Sequence, residues 1–287
     1  MACRALPCRP EAPRQLRTGS RGCEDSPQTF VEDAPAARAS LPLSGVPRRP
    51  RSHPASKRRP PMSKRLLITG ASTGIGAAAA RAAAAAGWRV GLAARSAEKL
   101  EALSSEIGDA ALALPGDVTS ESDQKAWVEA CVSAWGGLDA AFANAGIGAT
   151  APGTEGGETA NWRAMLDVNL WGALLTAKTA LPELRKTTGH FVVTGSNAGR
   201  RHMKGSIYGA TKWFVHGWAG NLAMEMEEWG GRCTVLAPGM VDTPFFDSPK
   251  PDGLTPEDVA EALLFALSQP ARVNVREVHV TPNPAAG

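Results

Sequence analysis

The stretch LLITGASTGIG, residues 66–76, decides the fold class of this chain. A short apolar run ends at Thr69, and a glycine-rich turn then opens an alanine-rich helical segment. Such a turn lets the backbone approach a pyrophosphate, and the helix that follows presents unpaired N–H groups at its positive end. The spacing Gly-x-x-x-Gly-x-Gly differs from the Gly-x-Gly-x-x-Gly fingerprint, so a turn that only packs helix on strand is the alternative. Its position after a first strand favours a dinucleotide site.

Strand and helix signals alternate from this turn to the end of the chain. Helical stretches separate apolar runs of strand length, which are LLIT (66–69), WRVGLAA (88–94), ALALP (111–115), LDAAFAN (138–144), HFVVTG (190–195), RCTVLAP (232–238) and VREVHV (275–280). Near-continuous apolar strands between helices are typical of a parallel sheet covered on both faces. We therefore predict an α/β fold with a doubly wound parallel sheet, and a single domain over residues 62–287.

The first 61 residues differ from the rest in composition. They hold 12 Lys and Arg against 5 Asp and Glu, and they contain half of the chain's 22 prolines. Such a segment cannot bury enough apolar surface to order itself, so we predict a disordered basic extension. A transit peptide and a basic arm for nucleic acid are the alternatives. We expect Met62 to be the native start, and N-terminal sequencing of the native protein tests this.

Charge and cysteine content narrow the class of protein further. Residues 62–287 hold 19 basic and 23 acidic side chains, so no nucleic-acid surface is expected on the folded domain. Cys131 and Cys233 lie in apolar segments without disulfide or metal spacing, which is typical of buried thiols in a reducing compartment. No apolar run approaches the ~18 residues of a membrane span. We predict a soluble, cytoplasmic protein without a metal site.

The residues after the second and third predicted strands bear on the choice of dinucleotide. Arg95 follows the second strand, where an acidic residue would bind the ribose of NAD, and an arginine can instead bind a 2′-phosphate. This favours NADP over NAD, although a solvated arginine at a helix start is the alternative. Asp117 either accepts a hydrogen bond from the adenine amino group or caps the next helix.

Tyr208 is the only tyrosine of the chain, and Lys212 follows it at helical spacing. A nearby ammonium favours the phenolate and would lower the pKa of the phenol toward the working pH, as a general acid requires. Alone, this pair is also compatible with ordinary packing. Ser196 closes the fifth predicted strand, and Asn169 lies on the preceding helix. Asn169 is expected to bond an irregular backbone and to position a water that passes protons to Lys212, and a plain helix-bend residue is the alternative.

The chain resembles the short-chain dehydrogenase/reductases through seven ordered motifs. These are TGASTGIG (69–76), DVT (117–119), ANAG (143–146), VNLWG (168–172), GSNAG (195–199), YGATK (208–212) and PGMVDT (238–243). The resemblance implies a seven-stranded Rossmann-like sheet, a dimer or tetramer, and a catalytic tetrad of Asn169, Ser196, Tyr208 and Lys212. It also implies that Asn144 supports the central strand.

The same resemblance implies the cofactor contacts. They are expected from Gly70, Ser72, Thr73, Gly74, Ile75, Gly76, Arg95, Asp117, Val118, Asn144, Ala145, Gly146, Tyr208, Lys212, Pro238, Gly239, Val241 and Thr243. NADP-preferring members often carry a basic residue where this chain has Thr73, so the NADP prediction rests mainly on Arg95. The interval from Ser196 to Tyr208 is one residue shorter than is usual in the family.

The expected reaction is hydride transfer between NADP(H) and a carbonyl or secondary alcohol of a ketone, aldehyde or hydroxy acid. The end of the chain resembles the subgroup of NADP-dependent 3-hydroxy acid dehydrogenases and carbonyl reductases. Residues 242–253 are the expected lid, with Phe245 and Phe246, and Met240 and Trp162 are expected to line the same side or only to pack. A non-catalytic NADP-binding scaffold is the alternative function.

Overall fold

The computed structural model describes residues 64–283, so the predictions made for residues 1–61 lie outside the described part. Within residues 64–283 a parallel sheet has seven strands in the order β3-β2-β1-β4-β5-β6-β7. The strands are β1 (Arg65–Thr69), β2 (Arg89–Ala94), β3 (Ala111–Pro115), β4 (Ala140–Ala143), β5 (His190–Thr194), β6 (Arg232–Pro238) and β7 (Glu277–Val280). Each falls within or beside a predicted run, so the doubly wound α/β fold is confirmed.

Helices connect the strands and cover both faces of the sheet. They are α1 (Gly74–Ala85), α2 (Ala97–Ile107), α3 (Glu121–Trp135), α4 (Thr159–Met165), a π-helical segment (Leu166–Gly172), α5 (Ala173–Thr187), α6 (Ile207–Glu227) and α7 (Pro256–Ser268). One apolar cluster joins the sheet to α3, α5 and α6, and a second joins it to α1, α2 and α7. Every residue of β1 and β4 is buried, which is why these central strands read as continuous apolar runs.

The strand order places the functional crevice. The chain passes from β1 outward to β2 and β3, then returns to pair β4 on the other side of β1. In an open α/β sheet, ligands bind beyond the carboxyl ends of the strands at this reversal. The glycine turn after β1 and the loop after β4 both lie there.

The predictions about the cysteines and about membrane-spanning helices can be compared with the described residues. Cys131 and Cys233 are buried free thiols, as the sequence predicts, and burial raises the pKa of each thiol to about 12. Of the helices described between residues 64 and 283, none has the length and apolar character needed to cross a membrane.

Gly76 is required by packing between α1 and the turn that precedes it. A Cβ at this position would lie 2.2 Å from the Gly70 carbonyl oxygen and 2.9 Å from Asn144 Nδ2. The obstacle is mainly backbone, so it cannot move aside cheaply. Gly76 therefore fixes the shape of the turn.

We expect Gly76→Ala to lower the free energy of unfolding by about 1–3 kcal/mol, because it overpacks a rigid contact. Urea unfolding of the variant measures the change. Gly217→Ala is the matched control, since a Cβ at this exposed helical glycine would meet no atom within 4 Å. That control should gain up to about 1 kcal/mol. An unchanged stability for Gly76→Ala would show that the turn can shift.

Candidate active site

A cavity of about 590 Å³ opens at the carboxyl ends of the central strands. It brings together nearly all of the residues that the sequence predicts for the cofactor and the reaction. Those that line it are Gly70, Ser72, Thr73, Gly74, Ile75, Arg95, Asp117, Val118, Asn144, Ala145, Gly146, Ser196, Tyr208, Lys212, Pro238, Gly239, Val241 and Thr243. Gly76 and Asn169 do not line the cavity.

The glycine turn presents backbone rather than side chains to this cavity. Gly70 and Gly74 have φ angles of +68° and +53°, a left-handed conformation that glycine adopts without strain. Thr73 precedes α1 without a capping bond from its side chain, so the first N–H groups of the helix remain available. These donors and the positive end of the helix fit a pyrophosphate.

Asn144 holds the strand ends around this turn. Its Nδ2 donates to the carbonyl oxygens of Thr69 and Gly70 at 3.1 and 3.4 Å, and its Oδ1 accepts from the Thr194 hydroxyl at 3.1 Å. One side chain thus links the carboxyl ends of β1, β4 and β5. This geometry agrees with the supporting role that the resemblance implies for Asn144.

The end of the cavity near β2 and β3 carries two basic side chains and one acidic side chain. Arg95 and Lys99 line it together with Asp117. Hydrogen bonds from Thr119 and the charge of Arg95 lower the pKa of the Asp117 carboxyl against its partial burial. The alternative role of Asp117 as a helix cap is wrong, because Ser120 caps α3 by accepting from Asp123 N–H.

Lys99 is a cavity residue that the sequence predictions omit. It lies on α2 four positions after Arg95. A second basic residue in the first turn of the helix that follows Arg95 is a signal that could have identified it. The anion-binding potential of this end therefore does not rest on Arg95 alone.

Ser196 is held in a geometry that leaves its hydroxyl proton available. The residue follows β5 directly, and its Oγ accepts from Ala198 N–H at 3.1 Å at the start of a short 3₁₀ turn, Asn197–Gly199. A hydroxyl has one proton to donate besides its acceptor lone pairs. Ser196 can therefore donate to a carbonyl oxygen in the cavity.

The structure corrects the predicted electrostatics of Tyr208. Burial raises the pKa of the phenol above its ordinary value, and a hydrogen bond with Ser196 only partly opposes this. Lys212 Nζ lies 5.7 Å from the centre of the phenol ring and is not among the causes of the shift. The lowering of the Tyr208 pKa that was predicted from the helical spacing is thus wrong for the described chain.

Lys212 lines the cavity but is almost fully buried. Its Nζ donates to the Thr194 carbonyl oxygen at 2.8 Å, and burial lowers the pKa of the ammonium to about 8. A buried amine with a lowered pKa exchanges protons near neutral pH, which an ordinary surface lysine does not do.

Asn169 lies in the π-helical segment and bonds backbone, as the sequence predicts. Its Oδ1 accepts from Ile147 N–H at 2.8 Å, and its Nδ2 donates to the Ile147 carbonyl oxygen at 3.0 Å. Nδ2 also donates to the Thr211 hydroxyl at 3.2 Å. Asn169 therefore fastens the loop after β4 to helix α6, which carries Tyr208 and Lys212.

Two of the four expected substrate-side residues line the cavity. Phe245 and Phe246 are part of its wall, and the Phe245 ring centre lies 5.6 Å from that of Tyr208. Met240 and Trp162 do not line it: Met240 is 49% exposed, and the Trp162 ring packs against Gly157. Met240 and Trp162 therefore do not form part of the cavity wall, and for Trp162 the alternative of packing alone holds.

Comparisons with known proteins agree with this geometry. A family model described as short chain dehydrogenase matches residues 64–252. An uncharacterized oxidoreductase of Staphylococcus aureus strain USA300 is 37% identical over 222 residues, which cover 75% of this chain and 96% of that protein. The chain belongs to the short-chain dehydrogenase/reductase family.

Solved structures show the same likeness. An alcohol dehydrogenase from the archaeon Thermococcus sibiricus, complexed with 5-hydroxy-NADP, matches with a TM-score of 0.72 and 31% identity over 77% of this chain and 97% of its own. A 3-ketoacyl-(acyl-carrier-protein) reductase from Brucella melitensis, complexed with NADH, matches with a TM-score of 0.72 and 31% identity over 77% and 98%. This chain is an NAD(P)-dependent dehydrogenase/reductase. The choice between NADP and NAD depends on its own residues.

Proposed function

We propose that this protein is an NADP(H)-dependent oxidoreductase that interconverts a carbonyl compound and the corresponding secondary or primary alcohol. The observation that carries the proposal is the meeting of Ser196, Tyr208 and Lys212 in the same cavity as the glycine turn. A donor pair for a carbonyl oxygen thus lies within reach of a dinucleotide site.

Each of the four proposed catalytic and positioning side chains has a distinct task. In reduction, the hydroxyls of Ser196 and Tyr208 bind the carbonyl oxygen, and Tyr208 donates the proton that the oxygen takes up. Lys212 lines the same cavity and is proposed to bind the nicotinamide ribose, while Asn169 holds the loop and helix that frame the cavity. When bound, the nicotinamide supplies the hydride for reduction or accepts it in oxidation.

The preference for NADP follows from the charge at the adenosine end of the cavity. Arg95 and Lys99 both line this end. An arginine can give paired donors to a 2′-phosphate, and a lysine adds a second positive charge. The carboxylate nearby, Asp117, already has the Arg95 charge beside it. We propose that Arg95 is the main determinant and Lys99 the secondary one.

We expect Arg95→Gln to weaken NADPH binding by about 10- to 100-fold, because a charge-assisted hydrogen bond contributes about 1.5–3 kcal/mol. NADH binding should change by less than about threefold, since NADH lacks the 2′-phosphate. Lys99→Gln should weaken NADPH binding less than Arg95→Gln. Fluorescence titration of each variant with both cofactors measures the constants. Equal losses for NADPH and NADH would contradict the assignment.

The substrate end of the cavity is apolar. Ile147, Phe245 and Phe246 line it, with Gly148 directly beneath the Phe245 ring. These side chains favour a substrate with an apolar portion next to its carbonyl group. We propose a ketone, an aldehyde or a hydroxy acid with such a portion.

A panel assay tests this proposal. Aldehydes, ketones and hydroxy acids of graded size are incubated with NADPH or NADP, and the absorbance of the reduced nicotinamide is followed. We expect turnover of several apolar carbonyl compounds with NADPH. Tight NADPH binding without turnover of any panel member would refute the proposal and favour a cofactor-binding scaffold.

We propose that the protein forms a homo-oligomer, a dimer or tetramer. Leu166, Trp171 and Phe214 are 43%, 49% and 39% exposed and line one surface groove. Exposed apolar patches of this kind often mark subunit contacts.

We expect Trp171→Glu to shift the protein to smaller species in light scattering coupled to size exclusion, because it places a charge in the apolar contact. Phe265→Glu serves as a matched control at an exposed apolar residue on α7, away from the groove. A monomeric wild-type protein would contradict the proposal.

Residues 62–287 are proposed to form one NAD(P)-binding domain in the cytoplasm. The single sheet that includes every strand from β1 to β7 supports the domain assignment. The buried free thiols of Cys131 and Cys233 fit a reducing compartment. Localisation of the tagged protein by fractionation tests the second point.

A further inference from the structure

A buried histidine lies directly behind Ser196. His216 is on α6, eight positions after Tyr208, and only 2% of its side chain is exposed. Ser196 N–H donates to His216 Nε2 at 3.3 Å, and the same nitrogen lies 3.1 Å from the Ser196 carbonyl oxygen. His216 does not line the cavity. It therefore contacts the backbone of Ser196 without being part of the cavity wall.

The imidazole ring is wedged between two glycines. A Cβ on Gly195 would lie 2.6 Å from His216 Nε2, and a Cβ on Gly199 would lie 2.6 Å from its Cδ2. Only glycine at both positions lets the ring reach the Ser196 backbone. A side chain at either glycine would displace this ring, and it would also meet Val235 Cγ1 at 2.5 Å from Gly195 or the Lys212 carbonyl oxygen at 2.7 Å from Gly199.

Glu277 on β7 holds the other side of this ring. Its Oε1 lies 2.8 Å from His216 Nδ1, an ion-pair distance without hydrogen-bond geometry. Nε2 accepts from Ser196 N–H when the ring proton is on Nδ1, and it donates to the Ser196 carbonyl oxygen when the proton is on Nε2. The ring therefore bonds the Ser196 backbone in either tautomer. Glu277 Oε1 also receives the Arg200 Nε–H at 3.1 Å, at the far end of the turn.

A second histidine of β7 completes the arrangement. His279 Nε2 lies 2.7 Å from Glu277 Oε1, and its Nδ1 lies 3.1 Å from Asn197 Oδ1. Three residues of the segment after β5 therefore each contact a member of the group formed by His216, Glu277 and His279; they are Ser196, Asn197 and Arg200. We call these three residues the His–Glu–His cluster.

We propose that His216, oriented by Glu277, is a positioning residue that fixes the backbone of Ser196 and thereby the direction of its hydroxyl. The inference rests on the role of Ser196 in the proposed function. A hydroxyl that shares a carbonyl oxygen with Tyr208 must be placed closely, because small misplacements of a reacting group cost large factors in rate. His216 provides this without touching substrate or cofactor.

The test compares two replacements of similar volume. His216→Leu removes the hydrogen-bonding partner of the Ser196 backbone, whereas His216→Gln keeps a side-chain amide that can accept from or donate to it. We expect His216→Leu to lower kcat by about 10- to 100-fold, and His216→Gln to stay within about threefold of wild type. NADPH affinity should be unchanged in both. The probe is whichever carbonyl compound of the panel wild type reduces fastest.

A double-mutant cycle separates positioning from general destabilisation. If His216 acts through Ser196, the variant carrying both His216→Leu and Ser196→Ala should lose no more than Ser196→Ala alone, within about threefold. His190→Leu is the matched control, because His190 is also a buried histidine and bonds Thr234 away from the cavity. It should lower stability while kcat stays within about threefold of wild type.

Hydrogen exchange gives a readout that needs no substrate. In His216→Leu, peptides that contain residues 195–199 should exchange faster than in wild type, and those of His190→Leu should not. Unchanged exchange in this segment, unchanged kcat in His216→Leu, or multiplied losses in the double variant would each overturn the proposal. If wild type turns over no panel compound, the proposed function has failed, and hydrogen exchange still decides the positioning role.

Discussion

Replacing Tyr208 with phenylalanine is expected to lower kcat by about 10²- to 10⁴-fold, because positioned proton transfer typically contributes this much. The change removes the phenol oxygen and leaves the aromatic ring that contacts Phe245. The fold and the glycine turn should therefore be unaffected, and NADPH should bind with an affinity within about threefold of wild type. Steady-state reduction of a panel compound and fluorescence titration with NADPH measure the two quantities.

The single tyrosine of the chain supplies a control for this experiment. Any phenolate absorbance in a pH titration of the wild type comes from Tyr208, and Tyr208→Phe should show none. Burial raises the pKa of this phenol, so the protein alone should titrate above the ordinary value of about 10. A Tyr208→Phe variant with near-normal turnover would show that another group donates the proton.

Replacing Lys212 with methionine is expected to lower kcat by about 10²-fold or more, because it removes the buried ammonium proposed to position the nicotinamide ribose. The side chain is 4% exposed, and methionine fills a similar volume. Lys212→Arg tests whether charge alone suffices, although the larger planar group must be accommodated in a buried position. Wild-type turnover in Lys212→Met would contradict a role for the ammonium in the reaction.

The free energy of unfolding of the same variant tests whether burial lowers the pKa of Lys212. Burial lowers the pKa of Lys212 to about 8, so the folded protein binds this proton less tightly than the unfolded chain does. Between the folded pKa of about 8 and the ordinary lysine value of 10.5, the unfolded state therefore carries more protons than the folded state. The free energy of unfolding rises as the pH increases through this range. Wild type should gain about 2 kcal/mol from this group between about pH 7 and about pH 9.5, and Lys212→Met should lack that gain.

Urea unfolding of both proteins at these two pH values measures the difference. Groups common to both proteins cancel in the comparison, which leaves the contribution of residue 212. The methionine variant also leaves the Thr194 carbonyl oxygen without its donor, a cost that does not depend on pH. A stability difference that is the same at both pH values would show that the folded pKa of Lys212 is not lowered.

The sequence by itself determined the sheet and most of the cavity wall. The glycine turn after β1, the seven apolar runs and the order of Asn169, Ser196, Tyr208 and Lys212 are local patterns. Burial on both faces produces continuous apolar strands, and a left-handed backbone requires glycine at Gly70 and Gly74. Information of this kind lies within a few residues of each position, so it can be read without knowing how the elements pack.

Only the tertiary structure decided the features that depend on contacts between distant elements. Lys212 and Tyr208 have pKa values set by burial, which helical spacing alone does not reveal. Glu277 meets His216 because β7 joins the sheet edge beside β6, next to the turn that α6 covers. Desolvation and long-range pairing depend on which surfaces are packed together. Periodicity in a sequence shows that a helix or strand has a buried face, but it does not show which element covers that face.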